Sequence, residues 1–70
     1  MQTIKLTMSQ HAVERLAERA GIRANPNKPF VLSGYKTIDQ QGATHKLVYA
    51  HLVFVVDVRA RHVLTVYPVQ

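Results

Sequence analysis

The chain contains no cysteine and no tryptophan, and its 70 residues include only four acidic side chains. Without cysteine it has no disulfide, no thiolate nucleophile and no cysteine-based zinc site, which fits a reducing cytoplasm. Its longest apolar run, residues 52–56, is far shorter than the roughly 20 residues that span a bilayer. The N-terminus carries Lys5 but no apolar segment typical of a signal peptide. We therefore expect a cytoplasmic protein with no membrane partner.

The scarcity of acidic residues leaves a strongly basic chain. Nine lysines and arginines give a net charge of +5 at pH 7 and a pI near 10.1. Such a charge is typical of proteins whose partner is rich in phosphates. Arg15 and Arg19 lie in a candidate helix, whereas Arg59 and Arg61 lie beside His62 in an apparent turn. We predict a nucleic acid, RNA or DNA, as the partner, contacted by Arg19, Arg59, Arg61 and His62.

The order of the predicted elements indicates an α+β fold in one domain, residues 1–70. The pattern predicts a helix at about 8–20 and strands at 1–6, 30–32, 35–39, 44–58 (with a turn near 50–51) and 62–67. Thr7 or Ser9 can cap the start of the helix, and Gly21 is placed to end it. We predict that this N-terminal amphipathic helix packs on an antiparallel sheet of three to five strands.

The apolar run 52–56 has two interpretations. It is typical of a central strand that is buried on both faces. At the edge of a sheet, the same strand would instead pair with a second copy of the chain and form a homodimer.

The predicted helix separates its ionisable side chains from its apolar ones. At 3.6 residues per turn, one face carries His11, Glu14, Arg15, Glu18 and Arg19. The other face carries Ala12, Val13, Leu16, Ala17 and Ala20, which we expect to pack on the sheet. The polar face is either a site or ordinary solvated surface, on which Arg15 can pair with Glu18. Against a purely solvated role, Glu14 with Glu18 and Arg15 with Arg19 are like charges four residues apart.

The helix pattern His11-Ala12-x-Glu14-Arg15-(x)3-Arg19, followed by Thr65-x-Tyr67 in the last strand, resembles a known family. It is similar to the small toxin-like ribonuclease domains of the barnase, EndoU, colicin and RelE fold group. Within that group it looks most like the tRNA-cleaving toxin domains of contact-dependent inhibition systems. The resemblance implies a metal-independent endoribonuclease that cleaves tRNA or mRNA, with its site where the helix face meets the last strand. It also implies a cognate immunity or antitoxin protein.

The residue types of that pattern suit RNA cleavage by the 2′-hydroxyl. This reaction needs a base for the 2′-hydroxyl proton, an acid for the leaving 5′-oxygen and cations for the phosphorane. His11 and Glu14 are the candidate acid–base pair, and Arg15 offers a guanidinium fork to the phosphate. Strand alternation predicts that Val63, Thr65 and Tyr67 share one face, so two hydroxyls can join the site. The predicted catalytic residues are thus His11, Glu14, Arg15, Thr65 and Tyr67.

The four histidines do not predict a metal site. No two of His11, His45, His51 and His62 have the i, i+2 or i, i+4 spacing of paired ligands. We therefore expect no metal and no cofactor. The alternative function is a non-catalytic interaction module that binds RNA or a host protein. Convergence of His11, Thr65 and Tyr67 on one point would favour the enzyme, and their dispersal would favour the module.

Overall fold

The structure is a computed structural model that describes residues 3–25 and 27–69, so Met1 and Gln2 of the predicted first strand lie outside the described residues. The elements in chain order are β1 (Thr3–Met8), α1 (Gln10–Ala20), β2 (Phe30–Ser33), β3 (Lys36–Gln41), β4 (Thr44–Tyr49), β5 (Leu52–Asp57) and β6 (His62–Pro68). The α+β class is confirmed, with the helix inserted after the first strand. In residues 3–25 and 27–69, no helix is long and apolar enough to cross a membrane.

The helix begins and ends at residues with recognisable capping roles. Ser9 is the N-cap, and its hydroxyl accepts a hydrogen bond from the Ala12 N–H at 3.1 Å. Thr7 is not the cap, because β1 continues through Met8. Gly21 ends the helix as predicted, with a left-handed φ of 66° and its N–H donating to the Ala17 carbonyl. The hydroxyl of Thr7 is therefore available for another contact.

The sheet is larger than the sequence predicted and is not purely antiparallel. Its six strands lie in the order β2-β1-β6-β5-β4-β3. β1 pairs with β6 in parallel, but only through Thr7 opposite His62 and Met8 opposite Val63. The two edge strands, β2 and β3, are joined by Gly34 and Tyr35 alone. Since so short a link must bring both edges together, the sheet curls into a half-barrel.

The core lies between the helix and the sheet face that it covers, which we call the inner face. Phe54, Leu6 and Leu16 are among its fully buried side chains, and α1 packs mainly on β6. The run 52–56 is a central strand, as predicted, so the edge-strand route to a homodimer does not apply. Ala17 and Ala20, predicted to be core residues, are exposed. Ala17 lies about 100° around the helix from Leu16, and Ala20 is in the last turn.

A β-bulge changes which face the residues of β6 occupy. Val55 pairs with Thr65 but Val56 pairs with Val63, so Leu64 is an extra residue without a partner on β5. Consequently Val63 and Val66 both lie on the inner face, and the predicted sharing of one face by Val63, Thr65 and Tyr67 is wrong. Thr65 and Tyr67 alternate with buried Val66 and lie on the opposite side, the outer face.

Candidate nucleic-acid interface

The positive charge of the chain does not come from the helix. Residues 10–20 carry two glutamates and two arginines, so their formal charge is zero and the net +5 lies elsewhere. Lys5, Arg59 and Arg61 lie on β1 and on the turn between β5 and β6. The other four cations outside the helix, Arg23, Lys28, Lys36 and Lys46, follow the helix or lie on β3 and β4. The junction of β1 and β6 is therefore one place outside the helix where a partner that recognises charge meets cations.

The predicted helix residues form a solvated cluster. Glu14, Glu18 and Arg19 are exposed, and Arg15 Nε donates to His11 Nε2 at 3.3 Å. That bond occupies the ring nitrogen of His11 that reaches furthest from the backbone. Within residues 3–25 and 27–69 the only ion pair is Lys46 with Asp39, at 4.0 Å, so Arg15 does not pair with Glu18.

The structure does not bring the two halves of the predicted catalytic set together. His11, Glu14 and Arg15 are on the helix, which covers the inner face of the sheet. Thr65 and Tyr67 are on the outer face, because the bulge at Leu64 turns them away from the helix. Dispersal of these groups argues against a site in which His11 acts together with the two strand hydroxyls.

A different histidine shares the outer face with Thr65 and Tyr67. His62 Nδ1 lies 2.8 Å from the Thr7 hydroxyl oxygen, which also lies 3.3 Å from the Arg61 carbonyl oxygen. The backbone N–H of Thr7 donates to that same carbonyl at 2.7 Å. With Nδ1 engaged by Thr7, the other ring nitrogen, Nε2, is the one left to exchange a proton with a ligand.

The turn that presents Arg59 and Arg61 is fixed by Asp57. Its Oδ1 accepts hydrogen bonds from the backbone N–H of Arg59 at 3.0 Å and of Ala60 at 3.2 Å. This is an Asx-type turn, in which the side chain substitutes for a backbone acceptor. The Asp57 carboxylate is thus held by the turn, and both arginine side chains remain exposed.

The sequence analysis identified Arg59, Arg61 and His62 but missed Thr7 and Lys5. In the sequence, Thr7 is one of two candidate helix caps, because no local pattern indicates that the first strand continues to Met8. Its pairing with His62 joins residues 55 positions apart. In the first strand Lys5 alternates with residues that face the core, such as Leu6. This alternation indicates that the Lys5 side chain points away from the core.

No three histidine, aspartate or glutamate side chains are close enough to hold a metal ion within the part of the chain that the structure describes. His45 is half-buried on β4, and His51 is exposed in the β4–β5 turn with a φ of 64°. The histidines therefore act separately.

Comparison with protein-family models, with curated proteins and with solved structures gives no match.

Proposed function

We propose that this chain binds RNA through the outer face of its sheet, at the junction of β1 and β6. The observation that carries the proposal is that Arg59, Arg61 and His62 follow one another through the β5–β6 turn into β6, whose outer face also carries Thr65 and Tyr67 further along the strand, while the helix has no net charge. Guanidinium groups suit phosphate oxygens, which supply most of the affinity for nucleic acid.

The uncharged residues of this face favour a single-stranded target. Tyr67 is 36% exposed, which leaves part of its ring available for a base. Thr65 adjoins it on the same face and offers a hydroxyl to a ribose or base edge. Stacking on aromatic side chains needs bases that are not already stacked in a duplex.

This proposal predicts that Arg59 and Arg61 contribute to RNA binding through their position in the β5–β6 turn and not only through the net charge of the chain. Replacing Arg59 and Arg61 together with glutamine should weaken binding of single-stranded RNA roughly 10- to 30-fold at 0.1 M salt, if each contacts one phosphate. The slope of log affinity against log salt should fall by about 1 to 1.5. Fluorescence anisotropy with a labelled oligonucleotide measures both quantities.

The matched control removes the same charge from the end of the helix and from the segment that follows it. Arg19 and Arg23 are both exposed, so replacing them with glutamine gives an equal change in net charge. This control should weaken binding less than threefold. An equal loss in the two double variants would mean that only net charge matters and would contradict the assignment to the outer face.

Ribonuclease activity is the second candidate function, favoured by the Thr7–His62 hydrogen bond on the same face as Thr65 and Tyr67. His62 Nε2 would take the proton of the 2′-hydroxyl, whose oxygen attacks the adjacent phosphorus. The bond from phosphorus to the 5′-oxygen breaks, and that oxygen takes a proton from a water molecule, whose hydroxide then accepts the proton held on His62. The products are a 2′,3′-cyclic phosphate and a 5′-hydroxyl end.

The resemblance to toxin-like ribonucleases implies the same reaction, but it gives the acid–base role to His11 on the helix. In the present proposal His62 replaces His11, because Arg15 donates to His11 Nε2 and the helix lies opposite Thr65 and Tyr67. A cognate immunity or antitoxin protein, which the resemblance also implies, would block the site by covering the basic outer face with acidic groups.

A further inference from the structure

A groove opens beside the first half of β1. Its volume is about 440 Å³, and its walls are Thr3, Ile4, Lys5, Tyr35, Val58 and Arg61. The groove exists because β1 pairs with β6 only at Thr7 and Met8. The earlier residues of β1 therefore face the β5–β6 turn without the backbone hydrogen bonds of a paired strand. A volume of this size lies within the roughly 300 to 1,000 Å³ of small-ligand sites.

The backbone of β1 presents hydrogen-bonding groups to this groove. The N–H of Thr7 points towards β6, since it donates to the Arg61 carbonyl. N–H groups alternate in direction along a strand, so those of Lys5 and Thr3 point to the same side. Within residues 3–25 and 27–69 no strand pairs with them there. These N–H groups are exposed and can donate to a polar ligand in place of water.

The charged side chains of the groove are of one sign. Lys5 and Arg61 approach from β1 and from the turn, and no carboxylate lines the walls. The nearest acidic residue in the chain, Asp57, directs its carboxylate to the N–H groups of Arg59 and Ala60. An anion entering the groove would therefore meet two cations and no carboxylate on its walls.

The remaining walls suit a flat, partly apolar group. Ile4, Tyr35 and Val58 are half-buried and pack against the core, so they form a firm floor. Tyr35 is the aromatic member of the groove lining. A base can lie against such a ring while its attached phosphate reaches the cations.

Arg61 adopts a left-handed backbone conformation, which is unfavourable for an arginine. Its φ is 51°, in the left-handed region that glycine and asparagine adopt most readily.

We propose that the groove binds one nucleotide unit of the RNA, with the phosphate between Lys5 and Arg61 and the base against Tyr35. The inference rests on the proposed RNA binding and adds a specific subsite to it. It extends the interface from the outer face into the gap between β1 and the β5–β6 turn.

The experiment titrates the whole chain with uridine 5′-monophosphate, uridine, ribose 5-phosphate and inorganic phosphate, monitored by NMR at Thr3 and Lys5. We expect the monophosphate to bind tightest, with ribose 5-phosphate roughly tenfold weaker because it lacks the base. Lys5→Gln and Arg61→Asn should each weaken the monophosphate at least fivefold and leave uridine unchanged. Arg23→Asn is the control with the same change of charge, because Arg23 is exposed and does not line the groove, and it should have less than a twofold effect.

Thermal unfolding separates lost binding from lost structure. Arg61→Asn should keep or raise the midpoint temperature, because asparagine tolerates the left-handed conformation better than arginine. Absence of monophosphate binding, or equal loss in Arg23→Asn and Arg61→Asn, would overturn the groove proposal. RNA binding that persists without monophosphate binding would leave the outer-face proposal standing. Monophosphate binding without RNA binding would mark the groove as a free-nucleotide site and refute both its role in RNA binding and the proposed function.

Discussion

His62→Ala should lower the rate of RNA cleavage by about 100- to 10,000-fold, which is the usual effect of removing a general acid or base. His62 is held through Nδ1 by the Thr7 hydroxyl at 2.8 Å and lies on the same face as Thr65 and Tyr67. The measurement follows cleavage of total RNA, with product ends analysed for 2′,3′-cyclic phosphate. Cleavage should persist in EDTA, and a deoxy substitution at the cut site should block it, because the nucleophile is the 2′-hydroxyl.

His11→Ala is the matched control for this variant. It removes the same side chain from an exposed helix position, where alanine favours the helix, and it should change the rate less than threefold. Loss of activity in His11→Ala with full activity in His62→Ala would assign the acid–base role to His11 on the helix. Absence of cleavage by the unaltered protein would reject the enzyme and leave RNA binding alone.

Leu16→Ala should lower the free energy of unfolding by about 2 to 5 kcal/mol. Leu16 is fully buried in the core that the helix shares with the sheet. A chain of 70 residues has a small reserve of stability, so a loss of this size should leave much of the protein unfolded at 37 °C. Urea unfolding followed by circular dichroism measures the change.

Leu64→Ala makes the same truncation at the bulge, where the side chain is 47% exposed. It should cost under about 1 kcal/mol, because little apolar surface is lost from the core. A larger cost for Leu64→Ala than for Leu16→Ala would mean that Leu64 lies inward. The bulge would then be misplaced, and Thr65 and Tyr67 would no longer be assigned to the outer face.

The elements with local signals could be predicted from the sequence. Gly21 ends the helix, Gly42 lies in the β3–β4 turn, and a turn near residues 50–51 divides the long apolar segment into two strands. Each of these signals depends on residues close together in the chain. Gly21 and Gly42 adopt left-handed conformations, and Pro29 lies in the segment that separates the helix from the next strand. The turn at 50–51 is indicated by the length of the segment 44–58, since its left-handed residues are Ala50 and His51.

The arrangement of the sheet could not be predicted in the same way. The parallel contact of β1 with β6 joins Thr7 to His62 and depends on the whole sheet curling. The bulge at Leu64 has no sequence marker, since Val63, Leu64 and Val66 are all apolar and either alternation is plausible locally. One extra residue was enough to move Thr65 and Tyr67 to the face opposite that of Val63.

The site prediction depended on that alternation. Arg59, Arg61 and His62 were identified because charged residues beside an apparent turn are exposed in almost any fold. Placing His11 in one site with Thr65 and Tyr67 required knowing which face of β6 carries the two hydroxyls. The bulge at Leu64 puts them on the face opposite to the predicted one. Thr7 and Lys5 enter the site only through tertiary pairing of β1.

The most direct test of the outer-face interface is a titration of the protein with single-stranded RNA followed by methyl NMR. The γ-methyl groups of Thr7 and Thr65 report on the outer face, whereas the β-methyl groups of Ala17 and Ala20 report on exposed helix surface. We predict that the two threonine signals shift on adding RNA and that the two alanine signals do not move. Shifts confined to Ala17 and Ala20, with Thr7 and Thr65 unchanged, would contradict the account.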